Sequence, residues 1–424
     1  MVDGDIFIEV TSFIGICFLV GILTSQRAMP LGAASPHALT WNTVDIDPDL
    51  VLYLRQCMKQ YTVDDPVFTR IEKQKMSETF SSAIFAGHKL DANHSFTMDD
   101  GGQYMTRALV KRHAATFQVP LYDVLMENIV VPDFADMIVS QISRYTVVTV
   151  ENITFWFYLP DSTDDSEHLQ IMSRAVQTVL FMQSVFDRKV DLIIHILLCD
   201  KPKVYEKRYG PPAQPVLVNS GVTPDDSTII IFRKEEVLKV LVHELCHVLK
   251  VDARSQSWSI ARALQDHLCT VVGSFNPTEA IAETVAQLLY SMLVAEWNHM
   301  SFQDVLQKQL DHGLMQSSKV LMLNRVFSVQ EMQTIPIAQK TYMLEYYVLR
   351  TAIMHRACLS RQMFATLLNR SPYYSKVSDV AVADAVQCAL LTEFSTDGDF
   401  STRLDNLLKV PKFESMSLQM NYFV

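Results

Sequence analysis

The chain has no CxxC pair, no unbroken run of basic residues, no fixed-period repeat and no uninterrupted apolar stretch of full membrane-spanning length. Its 7 cysteines are odd in number and scattered from Cys17 to Cys388, which excludes a zinc ribbon and gives no disulfide framework, and points to a reducing compartment. The formal net charge of −11 lacks the concentrated Lys/Arg surface that a grip on nucleic-acid phosphates needs, so a nucleic-acid partner is excluded. The densest basic stretch, Lys201 to Arg208, is broken by Pro202 and Glu206 and reads as a solvated loop. The absence of a repeat sets solenoids and propellers aside. Three Asn-x-Ser/Thr triplets, at Asn93, Asn152 and Asn369, carry little weight without secretion.

What is present is the composition of an ordered globular protein, 49% hydrophobic and 20% charged over 424 residues, enough for two or three domains or one enzyme of two lobes. The apolar segment of residues 6–24 is interrupted by Glu9, Thr11 and Ser12, and falls short of the roughly 20 apolar residues of a membrane span. It reads first as a membrane anchor, next as a buried or partner-facing helix, and last as a secretory signal, because the start Met1-Val2-Asp3-Gly4-Asp5 has no basic residue. As an anchor, with Asp3 and Asp5 before it and Arg27 after it, it would leave the body of the chain in the cytoplasm. The expected address is membrane-associated or intracellular rather than secreted. Residues 25–48 have the Ser, Pro, Gly and Ala content of a linker.

Residues 49–143 read as mainly helical, with amphipathic stretches at Val51–Tyr61, Phe68–Ala86 and Tyr104–Phe117. Residues 144–250 read as an α/β lobe. Strands are expected at Thr146–Val150, Ile153–Leu159, Leu192–Leu198, Val216–Val218 and Thr228–Phe232, with a helix over Glu167–Val185 and a turn at Asn219-Ser220-Gly221. A helix is expected over Lys234–Leu249, and residues 251–424 read as a helical lobe. The fold class is therefore α+β: a mixed α/β lobe joined through one central helix to a mainly helical lobe.

That central helix carries His243-Glu244-Leu245-Cys246-His247. Positions i and i+4 share a helix face, so His243 and His247 can direct two imidazoles at a single ion. Glu244 is then placed to take a proton from a water on the metal's open position and pass it to a leaving amine. The surrounding Val237, Leu238, Val240, Leu241, Leu245, Val248 and Leu249 are apolar, so the three polar residues would be costly inside without a partner. Cys246 points off the histidine face and reads as a core thiol. His267 reads as a surface residue and His195 as a core histidine.

A third ligand is sought in Asn276-Pro277-Thr278-Glu279-Ala280-Ile281-Ala282-Glu283, which opens a second long helix. Here the chain resembles the thermolysin-like gluzincin metallopeptidases, whose glutamate ligand is followed four residues later by an acid that steadies a ligating histidine. The resemblance implies one zinc ion on His243, His247 and Glu279, with Glu283 behind a histidine and a two-lobed zincin-like fold. The residues also permit another reading: Asn276 as N-cap, Pro277 at N1 and Glu279 at N3 of a capping box, leaving Glu283 as the ligand. Gluzincins further use a downstream His or Tyr on the tetrahedral oxyanion. Tyr346 and Tyr347 are the candidates here, with Tyr342 and His355 nearby in sequence.

The segments Val218–Thr223, Ile229–Glu236, Glu279–Glu283 and Tyr346–Leu349 are similar to HExxH proteins of large DNA viruses, a likeness covering Val216–Arg350, about a third of the chain. It implies a viral peptidase of virions or the infected cell. By analogy with gluzincins, Val216–Asn219 or Thr228–Phe232 would bind an extended peptide or protein substrate by strand addition. Two other readings stand beside the peptidase: a virion or structural protein whose zinc only joins its lobes, and a membrane-tethered interaction protein.

Overall fold

The structure is a computed structural model that describes residues 46–59, 141, 144–160, 166–200, 218–374, 376–395 and 398–409. The apolar segment 6–24, the stretches 68–86 and 104–117, the basic loop 201–208 and residues 216–217 lie outside the described residues. No described helix is long and apolar enough to cross a membrane.

Helix α1, Pro48–Lys59, precedes a sheet in which β1 (Arg144–Val150) and β2 (Ile153–Leu159) form an antiparallel hairpin with Val150 opposite Ile153. Along β2 the residues Ile153, Phe155, Phe157 and Leu159 are buried and alternate with partly exposed ones, the period-2 pattern of a strand with one face on a core. Helix α2 (Ser166–Val185) crosses to β3 (Leu192–Leu197), which runs parallel to β2. β3 is buried almost throughout, as expected for a strand covered on both faces.

The next two strands depart from the sequence expectation. Val218 is not in a strand, and residues 219–221 are not the hairpin turn; β4 is Gly221–Asp225, the turn falls at Asp226-Ser227, and β5 is Thr228–Ile231. The order β1-β2-β3-β5-β4 makes a five-stranded mixed sheet with antiparallel strands at both edges. In Gly221-Val222-Thr223-Pro224-Asp225 the strand formers Val222 and Thr223 stand among three residue types depleted in strands, and pairing to β5 holds the segment extended.

Helix α3, Val237–Val248, packs against α2, β4, β5 and α5, and every one of its residues is buried. Burying Leu241, Val242 and Leu245 fully contributes roughly 1.5–3 kcal/mol each. The chain then turns into α4 (Ser257–His267) and β6 (Val271–Gly273), and enters α5, Thr278–Trp297, buried from Thr278 to Ala295. Helix α6 (Phe302–Leu323) leads to β7 (Ile337–Gln339), which pairs parallel with β6, and then to a π-helical segment, Leu344–Leu349. Among the described residues after α3, this small ladder is the β-structure in an otherwise helical stretch. Helices α7 (Arg350–Cys358), α8 (Arg361–Leu367), α9 (Asp379–Glu393) and α10 (Asp399–Leu408) complete the fold. The described chain is thus helices combined with a small mixed sheet.

Candidate metal centre

Helices α3 and α5 bring together the residues singled out above. His243 Nε2 and His247 Nε2 are 3.1 Å apart, and Glu279 Oε2 lies 3.4 Å from the first and 3.3 Å from the second. Ligands 2.0–2.1 Å from a tetrahedral ion are about 3.3–3.4 Å from one another. The three atoms therefore outline one face of such a tetrahedron, and among the described residues they are the group able to hold a metal ion.

The chemistry of these donors fits a cation. Each Nδ1 has a carboxylate beside it: Asp252 Oδ2 is hydrogen-bonded with His247 Nδ1 at 2.8 Å, and Glu283 Oε2 makes an ion-pair contact with His243 Nδ1 at 2.8 Å. With its proton on the Nδ1 beside the carboxylate, each imidazole would keep a lone pair on Nε2, and two such lone pairs and a carboxylate oxygen would converge on one point. The surrounding carboxylates favour positive charge there. Burial pushes His247 down, but Glu279 and Asp252 outweigh it and raise its pKa to about 10; His243 is raised in the same way by Glu279 and Glu283. Glu279 is held below the usual carboxylate range by the two histidines, against the upward push of burial. Two imidazolium rings facing edge-on at this distance would repel, and a dication meets the same demand without that clash.

The capping-box alternative for Glu279 is not formed. Its partner in such a box, the Asn276 backbone N–H, donates instead to Glu345 Oε1 at 2.7 Å. The Asn276 side chain does not cap the helix either: its Oδ1 accepts from Ser257 Oγ (2.5 Å) and Thr278 Oγ1 (2.8 Å), and its Nδ2 donates to Glu279 Oε1 at 3.2 Å. Glu345 thus takes the acceptor role, and Glu279 Oε2 is free to face the histidines. Glu345 is fully buried, and burial raises its pKa to about 7 against hydrogen bonds from Gln339 and Asn276.

Glu244 is 6% exposed, and its Oε2 accepts a hydrogen bond from Thr223 Oγ1 at 2.7 Å. The strand carrying Thr223 approaches so closely that a Cβ on Gly221 would lie 2.6 Å from Val240 Cγ1 and 2.9 Å from Glu244 Oε1. Gly221 permits that contact. The Phe232 N–H donates to Ser220 O at 2.9 Å, so Val222 opposite Ile230 bonds to β5 and Gly221 turns its N–H and C=O to the outer edge. Among the described residues no strand pairs with that edge. Thr228–Ile231, by contrast, is paired on both sides and cannot accept a peptide strand, which removes one of the two expected docking strands.

Tyr346 reaches the site from the π-helical segment, its ring centroid 5.6 Å from that of His243 at 85°. It is partly exposed, and burial together with Glu279 and Glu244 pushes its phenol well above its ordinary value, keeping it protonated. Tyr347 is turned into the core, fully buried, with Glu236, Glu283 and Arg350 as its charged neighbours. His355 is engaged by Glu393, Nδ1 to Oε2 2.7 Å. His195 is a core residue hydrogen-bonded with Tyr158 Oη at 3.1 Å, His267 is exposed, and Cys246 is a buried thiol.

Asp252 and Thr223 went unrecognised in the sequence. Asp252 is delivered by a tight reversal after α3 in which Lys250 takes a left-handed conformation (φ 57°) and Val251 N–H donates to Cys246 O at 2.9 Å. A glycine at that position would have signalled the turn; a lysine does not. No family model, curated protein or solved structure matches the chain.

Proposed function

We propose that this protein is a zinc-dependent metallopeptidase of the gluzincin type, with a two-lobed zincin-like fold. The observation that carries the proposal is the triangle of His243 Nε2, His247 Nε2 and Glu279 Oε2, with sides of 3.1–3.4 Å and a buried carboxylate, Glu244, on the same helix. Two nitrogens and one oxygen suit zinc with a coordination position left for water.

When bound, zinc supplies a Lewis acid that polarises the scissile carbonyl and acidifies a water. Glu244 accepts the proton released on attack and returns it to the leaving nitrogen, while Thr223 Oγ1 holds Oε2 and fixes the direction of the other oxygen. Tyr346, protonated and beside His243, donates a hydrogen bond to the developing oxyanion. Tyr347, the other candidate for this role, is packed into the core. The open edge of β4 at Gly221 binds an extended peptide by main-chain hydrogen bonds, in place of Thr228–Phe232.

A zinc site that merely joined α3 to α5 would need only its three ligands, and Glu244, a fourth buried polar residue on the ligand helix, is not among them. The discriminating experiment is Glu244→Gln in the full chain. Zinc content and thermal stability stay near wild type while cleavage of a peptide library is lost. A wild-type protein that binds zinc and cleaves no member of a broad library would overturn the peptidase reading in favour of a structural site.

A further inference from the structure

Lys239 lies on α3 one turn before His243, and its side chain is completely buried. An ammonium wholly removed from water carries a large desolvation cost, and apolar replacements of buried ion pairs are often neutral or stabilising, so stability does not account for a lysine here. Its geometry does. Lys239 Nζ donates to Glu283 Oε1, while the second oxygen of the same carboxylate, Oε2, sits 2.8 Å from His243 Nδ1. The two oxygens of Glu283 are thereby divided between one partner on each side.

Glu283 is one turn beyond Glu279 on α5, and both face α3. Three carboxylates, Asp252, Glu279 and Glu283, crowd two imidazoles in this interior. Glu279 and Glu283 are chemically equivalent donors, and something has to decide which of them ligates. The nearby Arg350 is fully buried too, but it donates Nη1 to Gln287 Oε1 at 3.0 Å. Lys239 is the cation bonded to Glu283.

We propose that Lys239 is a positioning residue of the metal centre: it ties Glu283 back, so that this carboxylate orients His243 through Nδ1 and leaves Glu279 as the glutamate ligand. With Nδ1 committed, His243 presents the Nε2 lone pair to the metal. Lys239 thus selects between two glutamates that the spacing along α5 makes interchangeable. The inference rests on the metal reading of His243, His247 and Glu279, and its test reads metal binding rather than peptidase activity.

The experiment is zinc affinity of the full chain by competition with a chromophoric chelator, for wild type, Lys239→Met, Lys239→Gln, Glu283→Gln and the double variant K239M/E283Q. Thermal unfolding of the zinc-free proteins verifies folding. Lys239→Met is expected to weaken zinc binding about 10- to 100-fold. Lys239→Gln, which can still donate to Glu283, retains more affinity than K239M. The double variant is no weaker than E283Q alone, because lysine acts only through the glutamate. Should K239M fail to fold, K239Q and the double variant, which removes both buried charges, carry the comparison. Wild-type affinity in the folded lysine variants, or losses that multiply in the double variant, would overturn the role of Lys239 alone. A wild-type chain that binds no zinc overturns the metal reading itself.

Discussion

Asp252 Oδ2 sits 2.8 Å from His247 Nδ1, five positions along the chain and beyond the end of the helix that carries the histidine. The left-handed Lys250 and the bond from Val251 N–H to Cys246 O, 2.9 Å long, fold the chain back on the last turn to place it there. Each histidine of the pair therefore has its own carboxylate, one from the same segment and one from α5. Asp252→Ala is expected to lower zinc affinity about 10- to 100-fold, because the imidazole loses both its tautomer lock and its orientation. Chelator competition measures it; an unchanged affinity would show that the contact does not steady the ligand.

Glu279 and Glu283 separate by substitution. Glu279→Gln removes a ligand, and zinc per chain, determined by elemental analysis after dialysis, falls to background. Glu283→Gln leaves the ligand set intact and keeps close to one zinc per chain at lower affinity. The reverse result would exchange their roles.

Tyr346→Phe deletes the phenol beside His243. Its loss should cost about 10²- to 10³-fold in kcat, the magnitude found for one oxyanion donor, with zinc content unchanged and KM altered little. Tyr347→Phe touches only the core and leaves kcat near wild type, with about 1 kcal/mol lost from stability. Steady-state kinetics on any peptide that wild type cleaves distinguishes the two. Equal losses from both variants would argue against a donor role for Tyr346.

Stability should fall in acid partly through His195. Burial lowers its pKa to about 4, whereas the unfolded chain titrates near its ordinary value of 6.5. The neutral imidazole favours the folded state fully above about pH 6.5; as pH drops towards 4 the unfolded chain gains a proton that the folded one refuses, and up to about 3 kcal/mol is lost. Urea unfolding of zinc-free wild type and His195→Gln between pH 4 and 7 tests this. The variant shows the shallower fall, and parallel curves would remove His195 from the account.

Much of the sheet was legible because its strands are locally consistent. Ile153–Leu159 is rich in β-branched and aromatic residues, and the structure has a strand over those same residues. The π-helical segment is a different case. Tyr346 and Tyr347 are adjacent and alike, and which ring meets His243 depends on how that segment is anchored. Gln339 on the short β7 ladder does this, its Oε1 accepting from Leu344 N–H at 2.8 Å and its Nε2 donating to Glu345 Oε2 at 2.8 Å. β4 was missed because Gly221, Pro224 and Asp225 are types depleted in strands, which outweighs the extended preference of Val222 and Thr223.

The sequence by itself determined that His243 and His247 share a face with Glu244 beside them, since one turn of helix fixes i to i+4 geometry wherever the helix lies. Only the tertiary structure decided which glutamate joins them. Helix α5 is buried nearly all round, so its hydrophobic pattern has no phase to say which side meets α3. The outcome rests on contacts from distant segments: Glu345 accepting the Asn276 N–H that a capping Glu279 would have taken, and Lys239 holding Glu283.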